Sequence, residues 1–134
     1  MTILIAVIVV FIAVFLVVFD VKKVDPRFAD RIYLIYNKTG KQKEVEINNK
    51  SDVQTLKEIL AGYRSREFGD PCCGCGEDAS IVLVKGRRKV TLNLASDGCG
   101  TVQVNDEDSY YDLSEKNHKR MHKILGKYGY KVIE

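Results

Sequence analysis

From Ile3 to Phe19 no polar side chain interrupts the chain, whereas from Asp20 onward apolar and polar positions interleave. Seventeen apolar residues at about 1.5 Å rise span about 26 Å, close to the roughly 30 Å hydrocarbon core of a bilayer once Met1 and Thr2 are added. A transmembrane anchor over residues 1–23 is therefore expected. A cleaved signal peptide would carry a basic leader, a shorter apolar run and small residues before the cleavage point, and this segment has none of them. A core helix that is apolar on every side is out of proportion to so small a domain.

Residues 24–134 read as one small domain. Pro26 stops any helical continuation, and Arg31-Ile-Tyr-Leu-Ile-Tyr36 is a β-rich run. Turn residues at Asn37 to Gly40 then lead into the alternating Glu44-Val45-Glu46-Ile47, which completes a hairpin. Ser51-Asp52-Val53-Gln54 matches a capping box, and Val53, Leu56, Ile59, Leu60 and Tyr63 recur at helical spacing. The polar Arg64 to Glu67 follows that helix, and Gly69 to Glu77 reads as a Gly/Cys-rich loop. Ser80 to Val84 and Lys89 to Leu94 form a second hairpin through Lys85-Gly86-Arg87-Arg88. Val90, Leu92 and Leu94 face one way, Thr91 and Asn93 the other. Thr101 to Val104 and Tyr110 to Leu113 are two more short strands, and Ser114 caps a last helix with Met121, Ile124, Leu125 and Tyr128 on its apolar side. The expected class is α+β: an N-terminal transmembrane helix, then an antiparallel sheet of short strands with two helices packed on one face.

Composition sharpens this picture only in part. The 134 residues are 46% hydrophobic and 29% charged, enough apolar content to exclude a disordered chain. A net charge of +3 gives no case for a nucleic-acid partner. Phosphate-binding glycine loops, His-Glu-x-x-His and Gly-x-Ser-x-Gly are absent from the sequence, so no enzyme activity and no cofactor is expected.

Two groups of residues carry candidate chemistry. Cys72, Cys73, Cys75 and Cys99 are four cysteines in a short domain, and the least awkward complete pairing joins Cys72 to Cys75 and Cys73 to Cys99. Gly74, Gly76, Gly98 and Gly100 leave the two loops free to reach that geometry. The same cysteines admit a redox-active Cys-x-x-Cys, or zinc held by Cys72, Cys75, His118 and His122, although the Cys and His pairs are far apart in the chain. The second group is the basic side of the last helix, where Lys116, Lys119, Arg120, Lys123 and Lys127 fall within a narrow arc that suits an acidic partner or anionic lipid.

Ile81 to Val84, Leu94-Ala95-Ser96-Asp97-Gly98-Cys99-Gly100, Tyr110-Tyr111-Asp112-Leu113-Ser114 and Ile124-Leu125 resemble the corresponding runs of small uncharacterised membrane-anchored or lipoprotein-type domains of Gram-positive bacteria. The likeness covers about half the chain. It implies an extracytoplasmic domain with a cysteine pair and no assigned activity. This chain departs in having two extra cysteines and no lipidation cysteine after the apolar run. Lys22, Lys23, Arg27 and Arg31 flank the carboxyl end of the span and favour a cytosolic domain. Cysteine usage and the resemblance together favour the outside. The expectation is a single-pass protein of the cell membrane whose domain binds or senses a protein partner. The alternative is a thiol- or zinc-dependent module built on Cys72, Cys75, Cys99, His118 and His122.

Overall fold

The computed structural model describes residues 2–18, 25–61, 64–66, 75–95, 100–105 and 110–131. The apolar run forms helix α1, Thr2–Val18. Its described length of 17 residues rises about 26 Å. Among the described residues no helix is long and apolar enough to cross a membrane, so the spanning helix expected over residues 1–23 is not supported at full length.

The domain begins with a 3-10 turn, Pro26–Phe28, capped by Asp25, whose carboxylate accepts from the Arg27 amide at 3.0 Å. Among the described residues seven strands follow: β1 (Arg31–Lys38), β2 (Lys41–Glu46), β3 (Arg64–Arg66), β4 (Cys75–Lys85), β5 (Arg88–Ala95), β6 (Thr101–Val104) and β7 (Tyr110–Asp112). They make one sheet in the order β2-β1-β4-β5-β6-β7-β3, antiparallel throughout. Helix α2 (Lys50–Ala61) stands between β2 and β3 in the chain, and α3 (Glu115–Lys127) follows β7.

Both expected hairpins form, each on a two-residue turn. Lys38 pairs with Lys41 around Thr39 and Gly40, at φ 52° and 74°, and Lys85 pairs with Arg88 around Gly86 and Arg87. Gly86 has φ 57°, a value a glycine adopts without strain in the first central position of such a turn. The alternation read from the sequence fixes the faces. Ile32, Leu34 and Tyr36 of β1, Ile81 and Leu83 of β4, Val90, Leu92 and Leu94 of β5, and Val102 and Val104 of β6 share one side. Leu56, Ile59 and Leu60 of α2 and Met121, Ile124 and Leu125 of α3 pack onto it in a single core. Both helices therefore lie on one face of the sheet.

Three local readings change. Asn49, not Ser51, caps α2: its side-chain oxygen accepts from the amides of Ser51 and Asp52 at 3.0 and 3.1 Å, satisfying two otherwise orphaned donors at once. Arg64 to Arg66 is an edge strand paired with β7, not part of a polar connection. Strand β4 begins at Cys75, inside the stretch read as a loop, with an irregularity between Cys75 and Ser80. The sheet's two edge strands, β2 and β3, carry mostly charged or polar side chains, Lys41-Gln-Lys-Glu-Val-Glu46 and Arg64-Ser-Arg66.

Candidate functional site

Ser114 caps α3 as expected, its hydroxyl accepting from the Asn117 amide at 3.2 Å. The 3.6-residue period then buries Met121, Ile124 and Leu125 and sets His118 and His122, one turn apart, on the border of the buried stripe. Their rings meet at 82° with centroids 4.3 Å apart, and the two Nε2 atoms lie 2.7 Å from each other. At that distance one ring donates an Nε2 proton to the other's lone pair, so the two neutral rings hold opposite tautomers. Burial pulls the pKa of both below the ordinary 6.5; for His122 it falls to about 4, burial being the larger cause and the neighbouring His118 the smaller. His122 Nδ1 is buried with no hydrogen-bond partner.

Behind this pair the chain turns back. Gly129 has φ 96°, and a Cβ there would fall 2.5 Å from the Tyr36 hydroxyl, so only glycine fits. The reversal brings Tyr130 alongside His122, with centroids 6.1 Å apart and planes 29° from parallel, and edge-on to Tyr36 at 5.9 Å. Tyr36 in turn donates to the Tyr128 carbonyl at 3.1 Å.

The five basic residues of α3 meet different surroundings. Lys119 pairs with Glu115 at 2.6 Å, and Arg120 donates to Asn117 at 3.1 Å. Lys127 reaches across to Asp52 of α2 at 2.8 Å, where Tyr128 also donates at 2.9 Å. Asp52 is only 6% exposed, and the Lys127 ammonium, aided by Tyr128, outweighs burial and holds its carboxyl below the ordinary 3.8. This clasp joins the start of one helix to the end of the other, and nothing in the spacing of two residues 75 apart announces it. Lys116 and Lys123 are exposed.

Three of the four cysteines, Cys72, Cys73 and Cys99, lie outside the described residues, and with them both expected disulfides. Cys75 opens β4 directly opposite Ala95, the last residue of β5 and four positions before Cys99 in the chain. The chain thus enters β4 and leaves β5 at the same end of the hairpin. Among the described residues no three of His, Cys, Asp and Glu converge where a metal ion could sit.

The opposite face of the sheet carries a row that the sequence reading passed over. The Ser80 hydroxyl donates to Asn93 Oδ1 at 2.8 Å, and Asn93 Nδ2 donates to Gln103 Oε1 at 3.4 Å, linking β4, β5 and β6. One row further along, Thr101 donates to Asp112 at 3.0 Å. Asn93 and Thr101 are 4% and 3% exposed, so this row is polar without being open. The alternation of Thr91 and Asn93 with three leucine or valine positions was its one visible sign. Comparison with protein-family models, with curated proteins and with solved structures finds no match for this chain.

Proposed function

We propose that the chain is a membrane-tethered binding or sensing domain, not an enzyme, held by α1 and presenting its α+β unit to a partner. One observation carries this reading. Nine large apolar side chains between Ile3 and Ile12 are 50% to 80% exposed, and none of the described side chains of α1 belongs to the domain core. At about 25 cal/mol per Å², so much bare apolar surface demands a cover. A bilayer supplies it on every side of the helix at once, which suits a segment with no polar face. A helix of about 17 residues stands at the short end of the spanning range, and local thinning of the bilayer costs fractions of a kcal/mol per Å of mismatch. The domain is proposed on the extracytoplasmic side, a reading that rests on cysteine usage against the flanking charges of Lys22 and Lys23.

The test is fractionation followed by labelling. The full chain is expected in the membrane fraction after an alkaline wash, and its thiols are expected to react with a membrane-impermeant reagent on intact cells only after external reduction. Release by the wash overturns the tether. Labelling that needs lysis but no reductant moves the domain to the cytosol.

A second reading draws on the paired imidazoles. Two Nε2 atoms that face one another on a helix are the donor type a zinc-dependent module uses, with Cys72, Cys75 and Cys99 as its remaining candidates. Metal analysis of the purified chain separates the two: about one equivalent of zinc, lost in Cys72→Ser, favours the module.

A further inference from the structure

The β4–β5 hairpin ends in five consecutive exposed residues, Lys85-Gly86-Arg87-Arg88-Lys89. In the sequence they read as an ordinary turn. The fold gives them a position, because the hairpin end abuts the place where the chain enters the domain. The Asp30 amide donates to the Val84 carbonyl at 3.0 Å, and Arg31 stands opposite Val84 in the β1–β4 register. The Arg88 guanidinium lies 4.0 Å above the ring of Phe28, in the 3-10 turn that Asp25 caps. Asp25 is drawn down to about 2 chiefly by hydrogen bonds from Arg27, with Arg88 near enough to add to the effect.

From Val18, the end of α1, to Asp25 is seven peptide steps, so the basic turn lies against a point no more than about 25 Å along the chain from the apolar helix. That link itself contains Lys22 and Lys23. The neighbouring charges divide cleanly. Arg27 is committed to Asp25 through two bonds of 2.9 Å, and Arg31 faces Tyr33, Glu46 and Asp30. Among the described residues Lys85, Arg87, Arg88 and Lys89 make no ion pair. Four unneutralised cations are therefore gathered where the domain meets its tether. On α3 two of the five cations, Lys119 and Lys127, are neutralised within the fold, while Lys116, Arg120 and Lys123 make no ion pair among the described residues. Lys127 is also held near Tyr36, at the far end of β1 from Arg31.

We propose that the Lys85–Lys89 hairpin end binds the anionic headgroups of the bilayer that holds α1, and so fixes the orientation of the domain on its tether. This rests on the reading of α1 as a membrane anchor. The headgroup is the occupant that the link length favours, because surface potential acts within a screening length of about 10 Å and a link of at most about 25 Å lets the turn reach that range.

The test uses the full chain reconstituted into two kinds of vesicle, phosphatidylcholine alone and phosphatidylcholine with about 30 mol% phosphatidylglycerol, an anionic surface. Flotation with the neutral vesicles after an alkaline wash reports the anchor alone. Limited trypsin digestion reports the turn, with cleavage in the exposed Lys38–Lys41 turn at the other end of β1 as the internal reference. On anionic vesicles, cleavage at Arg87 and Arg88 relative to the reference is expected to slow about tenfold, and to recover in about 1 M salt, where the screening length is about 3 Å. Neutral vesicles are expected to give no slowing. The double variant Lys85→Glu with Lys89→Glu, which leaves the arginine sites cleavable, is expected to lose the protection while its reference cleavage stays unchanged.

Flotation on both vesicles with no protection on the anionic ones overturns the headgroup proposal and leaves the anchor standing. Protection that is equal on neutral vesicles overturns it as well. Salt-sensitive protection on anionic vesicles, without flotation on neutral ones, supports headgroup binding and overturns the anchor. Failure to float on either overturns both.

Discussion

On one side of the sheet Ile32, Leu34, Ile81, Leu83, Leu92 and Val102 meet α2 and α3; on the other, the same central strands present Ser80, Asn93, Gln103 and Thr101 joined by hydrogen bonds. Both sides bury side chains, since Asn93 is as hidden as Leu92. They are stabilised differently. The helical side gains from apolar area removed from water, which is indifferent to direction. The amide row gains only the difference between internal bonds and bonds to water, and depends on geometry. Substitutions on the two sides should therefore differ in size and in kind.

The largest effect belongs to the helical side. Leu83→Ala removes a fully buried side chain between sheet and helices and should cost about 3 kcal/mol, read as a lower urea midpoint at unchanged slope. A cost under about 1 kcal/mol would mean that this layer collapses onto cavities and is not well packed. The polar clasp inside the helical layer comes next. Asp52→Ala leaves Lys127 and Tyr128 without their shared acceptor and should cost about 2 kcal/mol. The double change with Lys127→Ala should cost less than the sum of the two single changes. Ser80→Ala, on the amide side, removes one donor from Asn93 and should cost about 1 kcal/mol, with no change in the urea slope. A loss as large as that of Leu83→Ala would make the amide row as much a core as the leucines.

The smallest effect at neutral pH, growing as pH falls, comes from the histidine pair. Below 6.5 the unfolded chain takes up protons that folded His118 and His122 resist, so stability should decline as pH drops from 6.5 towards about 4. Asp52 acts in a lower window. Its contribution is present above 3.8 and is lost as pH falls from there through its depressed folded value. Urea midpoints measured across pH should show two separate declines, and His122→Gln should flatten the upper one alone.

How much of this the sequence disclosed depended on whether the information was local. Alternation in Arg31 to Tyr36 and Lys89 to Leu94, and the helical period of Leu56, Ile59 and Leu60, placed the strands, the helices and the face on which they meet, because burial itself imposes those periods. Strand β3 was invisible because Arg-Ser-Arg has no apolar member to show a period. The true cap of α2 lay two residues before the expected one, since Asn49 and Ser51 are both acceptable caps and only the observed bonds choose between them. The basic side of α3 was legible as a stripe. That Lys119 and Lys127 are neutralised was legible only in part, through Glu115 one turn earlier, and not through Asp52. The turn at Lys85 to Lys89 looked like punctuation, because its position beside Phe28 follows from strand order and not from its own residues.

The edges of the sheet bear on how such chains behave when crowded. Proteins confined to a surface meet one another far more often than in bulk, and an open strand edge is a template on which a neighbour can add a strand. Here one outer strand offers Lys41, Lys43, Glu44 and Glu46, mostly exposed, and the other is three residues long with an arginine at each end. A second copy approaching the short edge with its own copy of that strand brings arginine towards arginine. Copies crowded together therefore meet like charge, not an open template, at this short edge.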